Sequence, residues 1–249
     1  RRVSIYNHQN ICISQREFAK FQSLIQQRLN GKPVSRIINK RNFWKKDFEL
    51  NDETLDPRSD SETLIETILD QYKDKLQFLK ILDLGSGSGC LGLSLLDEYP
   101  NSEVSFFDIS SKSLEMAKKN AVNLGLLERS KYINLNWNIN DWDEKLISIE
   151  NNIKYDIVIS NPPYIPTNFI KTLKKEVKIH DPLIALNGGN DGLDAYKSIL
   201  PKLINIIKSN GKIFLEIGEG QEISVTTIAT GYGLYLKGYK KDLSGMIRA

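Results

Sequence analysis

Two short segments of the sequence carry residue types that can do chemistry at one site. The first is a glycine-rich segment that follows the apolar run 79–84 and precedes a helical pattern. Glycines let the backbone turn sharply and approach a ligand without a Cβ in the way, and a helix N-terminus offers free N–H groups to a carboxylate or phosphate. We therefore predict a ligand-binding loop made of Gly85, Ser86, Gly87, Ser88 and Gly89.

Part of this segment also matches the dinucleotide fingerprint Gly-x-Gly-x-x-Gly. Residues 87–92 fit it literally, and Asp108 lies about 20 residues further on, where the fingerprint places an acid. The apolar run ends at Leu84, however, so the first turn glycine is Gly85, and the third fingerprint position counted from it is Cys90. A dinucleotide-binding enzyme stays one interpretation of the loop.

The second segment, Asn161-Pro162-Pro163-Tyr164, directly follows the apolar run 155–160. Its prolines fix φ and remove two donors, which leaves a rigid loop with exposed carbonyl oxygens. The Asn161 oxygen and the Pro162 carbonyl can each accept one N–H of a planar NH₂ group, and the Tyr164 ring can stack on it. Such a loop would align a weakly nucleophilic nitrogen and favour the positive charge that develops on it. An ordinary Pro-Pro turn is the other interpretation.

The elements that must position these segments alternate between strand and helix. Predicted strands cover residues 79–84, 104–107, 132–138, 155–160 and 212–217, with a terminal strand or hairpin at 231–239. Helical patterns lie near residues 14–30, 59–72, 90–98, 111–124, 167–177 and 193–208, and residues 34–56 resemble a hairpin or linker. The alternation predicts a doubly wound, mostly parallel α/β sheet, in which a ligand binds at the carboxyl ends of the strands.

The composition is that of a soluble globular protein. Apolar residues are 40% and charged residues 26% of the 249 residues, which excludes disorder, collagen and coiled coil for the whole chain. No apolar run approaches the roughly 20 residues that cross a bilayer. Two cysteines and two histidines are too few for a Cys-rich or His-based metal site. We expect a cytoplasmic protein without a metal, and a fragment, because the chain starts at Arg1 rather than Met and ends abruptly at Ala249.

Positive charge is concentrated in the first 50 residues. They carry 11 Lys and Arg against three acids, a net charge of +8, whereas the rest of the chain has a net charge of −5. A basic segment of this kind indicates a polyanionic partner, so proximity to RNA or the ribosome is one prediction. A solvated Lys/Arg face on a small helical segment is the other.

The glycines that alternate after Asp83 resemble the first motif of class I S-adenosylmethionine-dependent methyltransferases. Together with Asp108 and residues 161–164, they are similar to the N5-glutamine methyltransferases that modify peptide chain release factors. The similarity covers nearly the whole chain, including residues 28–34, 43–48, 180–193 and 216–221.

This resemblance implies a reaction and a cofactor. The methyl group would pass from S-adenosylmethionine, leaving S-adenosylhomocysteine, to the side-chain N5 of the glutamine in the Gly-Gly-Gln motif of a release factor, which supports translation termination. Asn161, Pro162, Pro163 and Tyr164 would hold the substrate amide. Cofactor contacts would come from residues 85–89, Asn161, Asp108 with the ribose hydroxyls, and Trp142 with the adenine; Trp137 is the alternative to Trp142.

The resemblance also implies a Rossmann-like, seven-stranded sheet and three parts of the chain. They are a partial N-terminal helical substrate-docking domain (1–33), a hairpin linker (34–58) and the methyltransferase domain (59–249). In residues 55–62, Asp56 and Ser59 replace an apolar residue and a proline of the family pattern. We also expect most of the N-terminal domain to be missing. These departures concern partner docking more than catalysis.

Other functions stay open at this point. Asn-Pro-Pro-Tyr also occurs in methyltransferases that act on adenine N6 or guanine N2, and a sister enzyme methylates a glutamine of a ribosomal protein. A module that only binds S-adenosylmethionine would have a broken catalytic loop, whereas residues 161–164 are intact.

Overall fold

The structure, a computed structural model, describes residues 13–249; His8, Cys12 and the first two arginines of the basic segment lie outside the described residues. The N-terminal elements are α1 (Gln15–Leu29), α2 (Val34–Ile38), β1 (Lys40–Phe43), β2 (Lys46–Glu49) and α3 (Glu62–Gln71). The elements that follow are β3 (Lys80–Leu84), α4 (Cys90–Glu98), β4 (Glu103–Asp108), α5 (Ser111–Leu124), β5 (Ser130–Asn134), α6 (Trp142–Ile149), β6 (Tyr155–Ser160), α7 (Lys175–His180), α8 (Asp194–Ile206), β7 (Ile207–Leu215) and α9 (Glu222–Gly231).

Five strands form one parallel sheet in the order β5-β4-β3-β6-β7. One hydrophobic core lies on the face covered by α3, α4 and α5, and a second lies under α6, α8 and α9. β3 is buried along its whole length because helices cover both faces, as is typical of parallel strands. The predicted doubly wound α/β fold is therefore confirmed.

The strand order reverses beside β3, which pairs with β4 on one side and with β6 on the other. The connection from β3 leads to β4 on one side and the connection from β6 leads to β7 on the other. Connections that diverge in this way leave a crevice outside the carboxyl ends of β3 and β6. The Ser160 hydroxyl donates to the Leu84 carbonyl at 2.7 Å and ties the two strand ends together. Both predicted loops begin at this crevice.

A seven-stranded sheet is not confirmed, because the parallel sheet formed within residues 13–249 has five strands and the β1–β2 hairpin is a separate sheet. The segment 231–239, predicted as a terminal strand or hairpin, has no strand structure: Gly233 has φ of +79° and closes a turn after α9. Beyond it, the chain makes only an isolated antiparallel bridge between Lys241 and Ile247. The Ile217 N–H, just after β7, donates to the Arg248 carbonyl at 3.0 Å.

The β1–β2 hairpin packs on the sheet domain through two aromatic side chains. Phe43 and Phe48 are fully buried in the core on the α4 and α5 side. Asn120 of α5 exchanges two hydrogen bonds with the Glu49 backbone, at 2.8 and 3.0 Å, and donates a third to the Ser88 carbonyl at 2.9 Å. The hairpin is therefore joined to the glycine-rich loop through one asparagine.

Most cations of the basic segment are paired within the chain. Between residues 13 and 50, ion pairs are made by Arg28 with Glu176, Arg36 with Asp181, Lys40 with Asp47, Arg41 with Asp56, Lys45 with Glu98 and Lys46 with Asp97. Arg36 is only 3% exposed, so it does not belong to a surface for a polyanion. In that range Arg16, Lys20 and Lys32 form no ion pair with any residue from 13 to 249.

No helix in residues 13–249 is both long enough and apolar enough to span a bilayer.

Candidate active site

A cavity of about 930 Å³ lies at the carboxyl ends of β3, β4 and β6. Its volume is at the upper end of the roughly 300–1,000 Å³ of small-molecule sites. Its wall includes residues of the glycine-rich loop, Asp108, and residues of the loop 161–164, called the proline loop below. The two segments that the sequence singles out therefore share one cavity.

The glycine-rich loop turns sharply between β3 and α4. Gly85, Gly87 and Gly89 have φ values of +73°, +54° and +77°, a region that side chains rarely tolerate. A Cβ at Gly85 would lie 2.9 Å from the Trp137 ring, whereas a Cβ at Gly87 would meet no protein atom within 4 Å. The Ser86 hydroxyl is buried without a hydrogen-bond partner among the described residues. Gly85 is needed for close packing, and Gly87 for backbone conformation.

Asp108 ends β4 and faces the loop across the cavity wall. Its two carboxylate oxygens accept hydrogen bonds from the Gly87 and Ser110 N–H groups, both at 2.9 Å. Burial raises the pKa of this carboxyl, and the N–H donors of Ser110, Gly87 and Ile109 oppose the rise. Each carboxylate oxygen has further lone pairs, so Asp108 can hold the loop and still accept hydroxyl groups from a ligand.

A second carboxyl, that of Asp83, is fully buried in β3, two residues before Gly85. Its Oδ2 accepts the Gly92 N–H of α4 at 2.9 Å. Burial raises the pKa of this carboxyl to about 7; the Gly92 hydrogen bond lowers it and the charge of Asp108 adds to the rise. A Cβ at Gly92 would lie 2.9 Å from Asp83 Oδ2, so this glycine lets the carboxyl approach the helix.

The raised pKa predicts a loss of stability with rising pH. Between pH 3.8 and about 7 the folded protein holds the Asp83 proton that the unfolded chain releases, so the free energy of unfolding falls through this window. We expect Asp83→Asn to keep the Gly92 hydrogen bond and to be more stable than wild type above about pH 7, by on the order of 1.4 kcal/mol per pKa unit. Urea denaturation at about pH 5 and 8 measures this. The comparison variant is Asp52→Asn, which removes a carboxylate from the exposed surface instead.

The proline loop places two of its four residues at the cavity. Asn161 and Pro163 line it, whereas Pro162 and Tyr164 do not. Asn161 Oδ1 and the Pro162 carbonyl accept no hydrogen bond from the residues the structure describes. Both acceptors named from the sequence are therefore free of partners within the described chain. The Tyr164 ring packs instead beside Gly218, where an added Cβ would lie 3.0 Å from it.

Behind this loop lies a buried carboxylate, Glu216, which follows β7. Its Oε2 accepts the Ser61 hydroxyl at 2.5 Å and its Oε1 accepts the Tyr164 hydroxyl at 3.0 Å. Ser61 in turn accepts the Asn161 side-chain N–H at 3.0 Å. Burial raises the pKa of Tyr164, and the negative charge of Glu216 adds to the rise. The sequence comparison placed Glu216 and Ser61 in family segments but gave neither a role.

Residues 183–189 form the opposite wall of the cavity, and Asp181 fixes where this wall starts. Asp181 accepts hydrogen bonds from Arg36 at 2.6 Å and from Arg58. Arg36 also donates to the Asn51 and Thr54 carbonyls, at 2.7 and 2.6 Å. The N-terminal segment thus holds the wall through one buried arginine.

Asp56, one of the departures from the family pattern, lies close to this cluster and is buried. It accepts the Ser35 hydroxyl at 2.5 Å and lies 3.6 Å from Arg41. A carboxylate at this buried position is therefore both hydrogen-bonded and paired with a cation, which is what burial of a charge requires.

The two tryptophans considered for the adenine lie at different places relative to the cavity. Trp142 begins α6 and is 1% exposed; its N–H donates to the Ser198 carbonyl of α8 at 3.3 Å, and it does not line the cavity. Trp137 does line the cavity, on the loop after β5. Both indoles pack on Phe107, Trp142 edge-on at 5.6 Å and Trp137 parallel at 6.2 Å. The alternative residue of the sequence analysis therefore occupies the position at the cavity.

Comparisons with known proteins show which family this chain resembles. The family model "Methyltransferase small domain" matches residues 53–180. A release factor glutamine methyltransferase of Bradyrhizobium diazoefficiens is 37% identical over 240 residues, which are 95% of this chain and 77% of that protein. One from Agrobacterium fabrum is 39% identical over 236 residues, 94% of this chain and 78% of that protein.

Among solved structures, a methyltransferase from Agrobacterium tumefaciens that depends on S-adenosylmethionine superposes with a TM-score of 0.54. It is 15% identical and covers 78% of this chain and 57% of its own, so the likeness concerns the fold alone. The two curated relatives carry more weight, because their identity extends over nearly all of the sequence. The chain belongs to the release factor glutamine methyltransferase family.

Proposed function

We propose that this protein transfers a methyl group from S-adenosylmethionine to the side-chain amide nitrogen of a glutamine in a peptide chain release factor, at its Gly-Gly-Gln motif. One observation carries the proposal. The free acceptor Asn161 Oδ1 and the glycine-rich loop lie on a single cavity, in a chain of the family named for this reaction.

The residues at the glycine-rich loop fit S-adenosylmethionine. Gly87 borders open space, the buried Ser86 hydroxyl has no hydrogen-bond partner among the described residues, and Asp108 retains lone pairs for ribose hydroxyls. Trp137 presents an indole at the same cavity for the adenine. When bound, S-adenosylmethionine supplies an electrophilic methyl group attached to a positively charged sulfur.

The proline loop would bind and orient the substrate. Asn161 Oδ1, at the cavity, accepts one N–H of the glutamine amide. The other N–H is assigned to the Pro162 carbonyl, which accepts no hydrogen bond from the described residues, although Pro162 itself does not line the cavity. Held in this way, the nitrogen lone pair points along one fixed direction. Orientation of this kind replaces the entropy cost of a chance encounter. Both oxygens carry partial negative charge, which would stabilise the positive charge that the nitrogen acquires as the N–C bond forms and the bond between the methyl carbon and sulfur breaks. The methylated nitrogen would then lose one proton to water and become a neutral secondary amide.

The assignment of the adenine contact can be checked with two tryptophans. Trp137→Ala should weaken S-adenosylhomocysteine binding by about 1–3 kcal/mol, the scale of a base stacked on an aromatic ring. Trp142→Phe keeps an aromatic ring in the core and should bind with nearly wild-type affinity. Isothermal titration calorimetry measures both, and the reverse pattern would restore the original assignment to Trp142.

We also propose that residues 13–33 belong to the part that docks the release factor, and that the hairpin linker and the methyltransferase domain follow. On α1, no residue is buried and an apolar side is exposed, at Phe18, Phe21, Ile25 and Leu29. Proximity to RNA or the ribosome would depend on Arg16, Lys20 and Lys32. If it contributes, changing all three to Gln should raise KM at low salt and flatten its dependence on salt concentration.

Mass spectrometry of the products tests the function. Release factor, tRNA and DNA are each incubated with the protein and S-adenosylmethionine. We expect one added methyl group on the glutamine of the Gly-Gly-Gln motif, and none when that glutamine is changed to alanine. Methylation of adenine or guanine with an unmodified release factor would instead support a nucleobase methyltransferase.

A further inference from the structure

Asn161 of the proline loop is the first residue in a series of hydrogen bonds that ends at the carboxylate of Glu216. The Asn161 side-chain N–H donates to Ser61 Oγ at 3.0 Å, and the Ser61 hydroxyl donates to Glu216 Oε2 at 2.5 Å. Ser61 lies in the 3₁₀ turn before α3, 155 residues from Glu216, and both are at most 3% exposed. None of these contacts involves the glycine-rich loop.

The carboxylate gives this chain a direction. Burial raises the pKa of Glu216, and the hydroxyl donors Ser61 and Tyr164 and the charge of Arg248 oppose the rise. One hydroxyl donates to each carboxylate oxygen, which stabilises the ionised form. The ionised carboxylate only accepts hydrogen bonds, so the single proton of Ser61 points toward Glu216. The Ser61 oxygen is then left as an acceptor, and only the NH₂ side of the Asn161 amide can satisfy it. The Asn161 oxygen must consequently face away from Ser61.

This direction matters because an asparagine amide is nearly symmetric in shape. Rotation by half a turn would exchange its oxygen for an NH₂ group, a donor facing the donor groups of a substrate amide. With the Asn161 amide rotated in this way, the loop would lose the Asn161 oxygen as an acceptor, although its backbone would not change. The bound substrate would then be poorly oriented for attack.

We infer that Ser61 and Glu216 are positioning residues, which hold the Asn161 amide with its oxygen toward the substrate nitrogen. The inference rests on the proposed function in needing a planar NH₂ substrate. Glu216 is itself fixed from other sides: its second oxygen accepts the Tyr164 hydroxyl at 3.0 Å, and its backbone carbonyl accepts the Tyr196 hydroxyl at 2.7 Å. These contacts leave the carboxylate little freedom to leave Ser61.

A double-mutant cycle tests the inference with release factor as substrate. Ser61→Ala and Glu216→Gln should each lower kcat about 10-fold or more, with KM for the release factor within about 2-fold, because orientation rather than binding is lost. Ser61→Thr retains the hydroxyl and should recover most of kcat. In an Asn161→Ala background, Ser61→Ala should have no further effect, since residues that act through one another are not additive.

Three measurements separate positioning from general damage. Each variant should still melt cooperatively, and S-adenosylhomocysteine affinity should stay near wild type, as it should in Ser94→Ala, which changes an equally buried serine of α4. The Asn161 side-chain NH₂, assigned by comparison of ¹⁵N spectra with Asn161→Ala, should exchange with solvent faster in Ser61→Ala and Glu216→Gln.

Several outcomes would overturn the inference. They are wild-type kcat in Ser61→Ala, additive losses in the Asn161→Ala background, or unchanged exchange of the Asn161 NH₂. A wild-type protein that leaves release factor unmodified would refute the proposed function instead. The exchange measurement needs no substrate and would still decide the role of Ser61 and Glu216.

Discussion

Asn161→Ala should lower kcat for methyl transfer by about 10²–10³-fold, the loss seen when a positioned polar group is removed from an active site. The variant removes the oxygen that accepts one N–H of the substrate amide and leaves the glycine-rich loop and Asp108 in place. The free energy of unfolding should change little, because Asn161 is only partly buried and makes one side-chain hydrogen bond, to Ser61. Single-turnover kinetics with release factor measure the effect on transfer itself.

S-adenosylhomocysteine affinity is the matched control for Asn161→Ala and should stay within a few-fold of wild type. Tyr164→Phe provides a second comparison, because it removes a donor from Glu216 but leaves the contact between Ser61 and Asn161 intact. Its kcat should fall less than that of Asn161→Ala. Turnover near wild type in Asn161→Ala would mean that the proline loop is only a turn.

Gly87→Val should abolish binding of S-adenosylmethionine and its product. Gly87 has φ of +54°, a conformation that a β-branched residue strongly resists. Relaxation of the strain would pull the Gly87 N–H from Asp108, to which it donates at 2.9 Å, and the new side chain would occupy open space at the cavity wall. Calorimetric titration with S-adenosylhomocysteine should show no measurable heat.

The comparison for this variant is Gly87→Ala, which has the same backbone strain with a smaller side chain. It should bind more weakly than wild type and better than Gly87→Val. Circular dichroism establishes that both variants are folded. A folded Gly87→Val with wild-type affinity would refute the assignment of the cofactor to this loop.

Both loops could be predicted from the sequence because each carries its chemistry in a few consecutive residues. Gly85, Gly87 and Gly89 follow an apolar strand, and Asn161 follows another, so parallel-sheet topology alone brings them to one edge. The partners that orient Asn161 could not be found in this way. Ser61 and Glu216 are far apart in the sequence, and neither has a local pattern that indicates a hydrogen bond to the other.

The position of Trp137 has a local cause. The apolar pattern predicts a strand over residues 132–138, but the observed strand, β5, ends at Asn134. Asn136 then accepts the Asn138 N–H with its side chain at 2.8 Å, a turn that competes with the strand ladder. This turn carries Trp137 to the cavity. Charge counting failed at Arg36 for a different reason, since its acidic partner Asp181 lies 145 residues away.

Asn120 joins the β1–β2 hairpin to the glycine-rich loop. We therefore expect the smallest part of the chain that folds on its own to include the hairpin. The family match begins at residue 53, after Phe43 and Phe48 have already entered the core. A chain shortened to that boundary would open a void beneath α4 and α5 and leave Asn120 with the Ser88 carbonyl alone. In evolution, then, the hairpin cannot be exchanged as freely as a surface appendage, because its loss would loosen the loop assigned to the methyl donor.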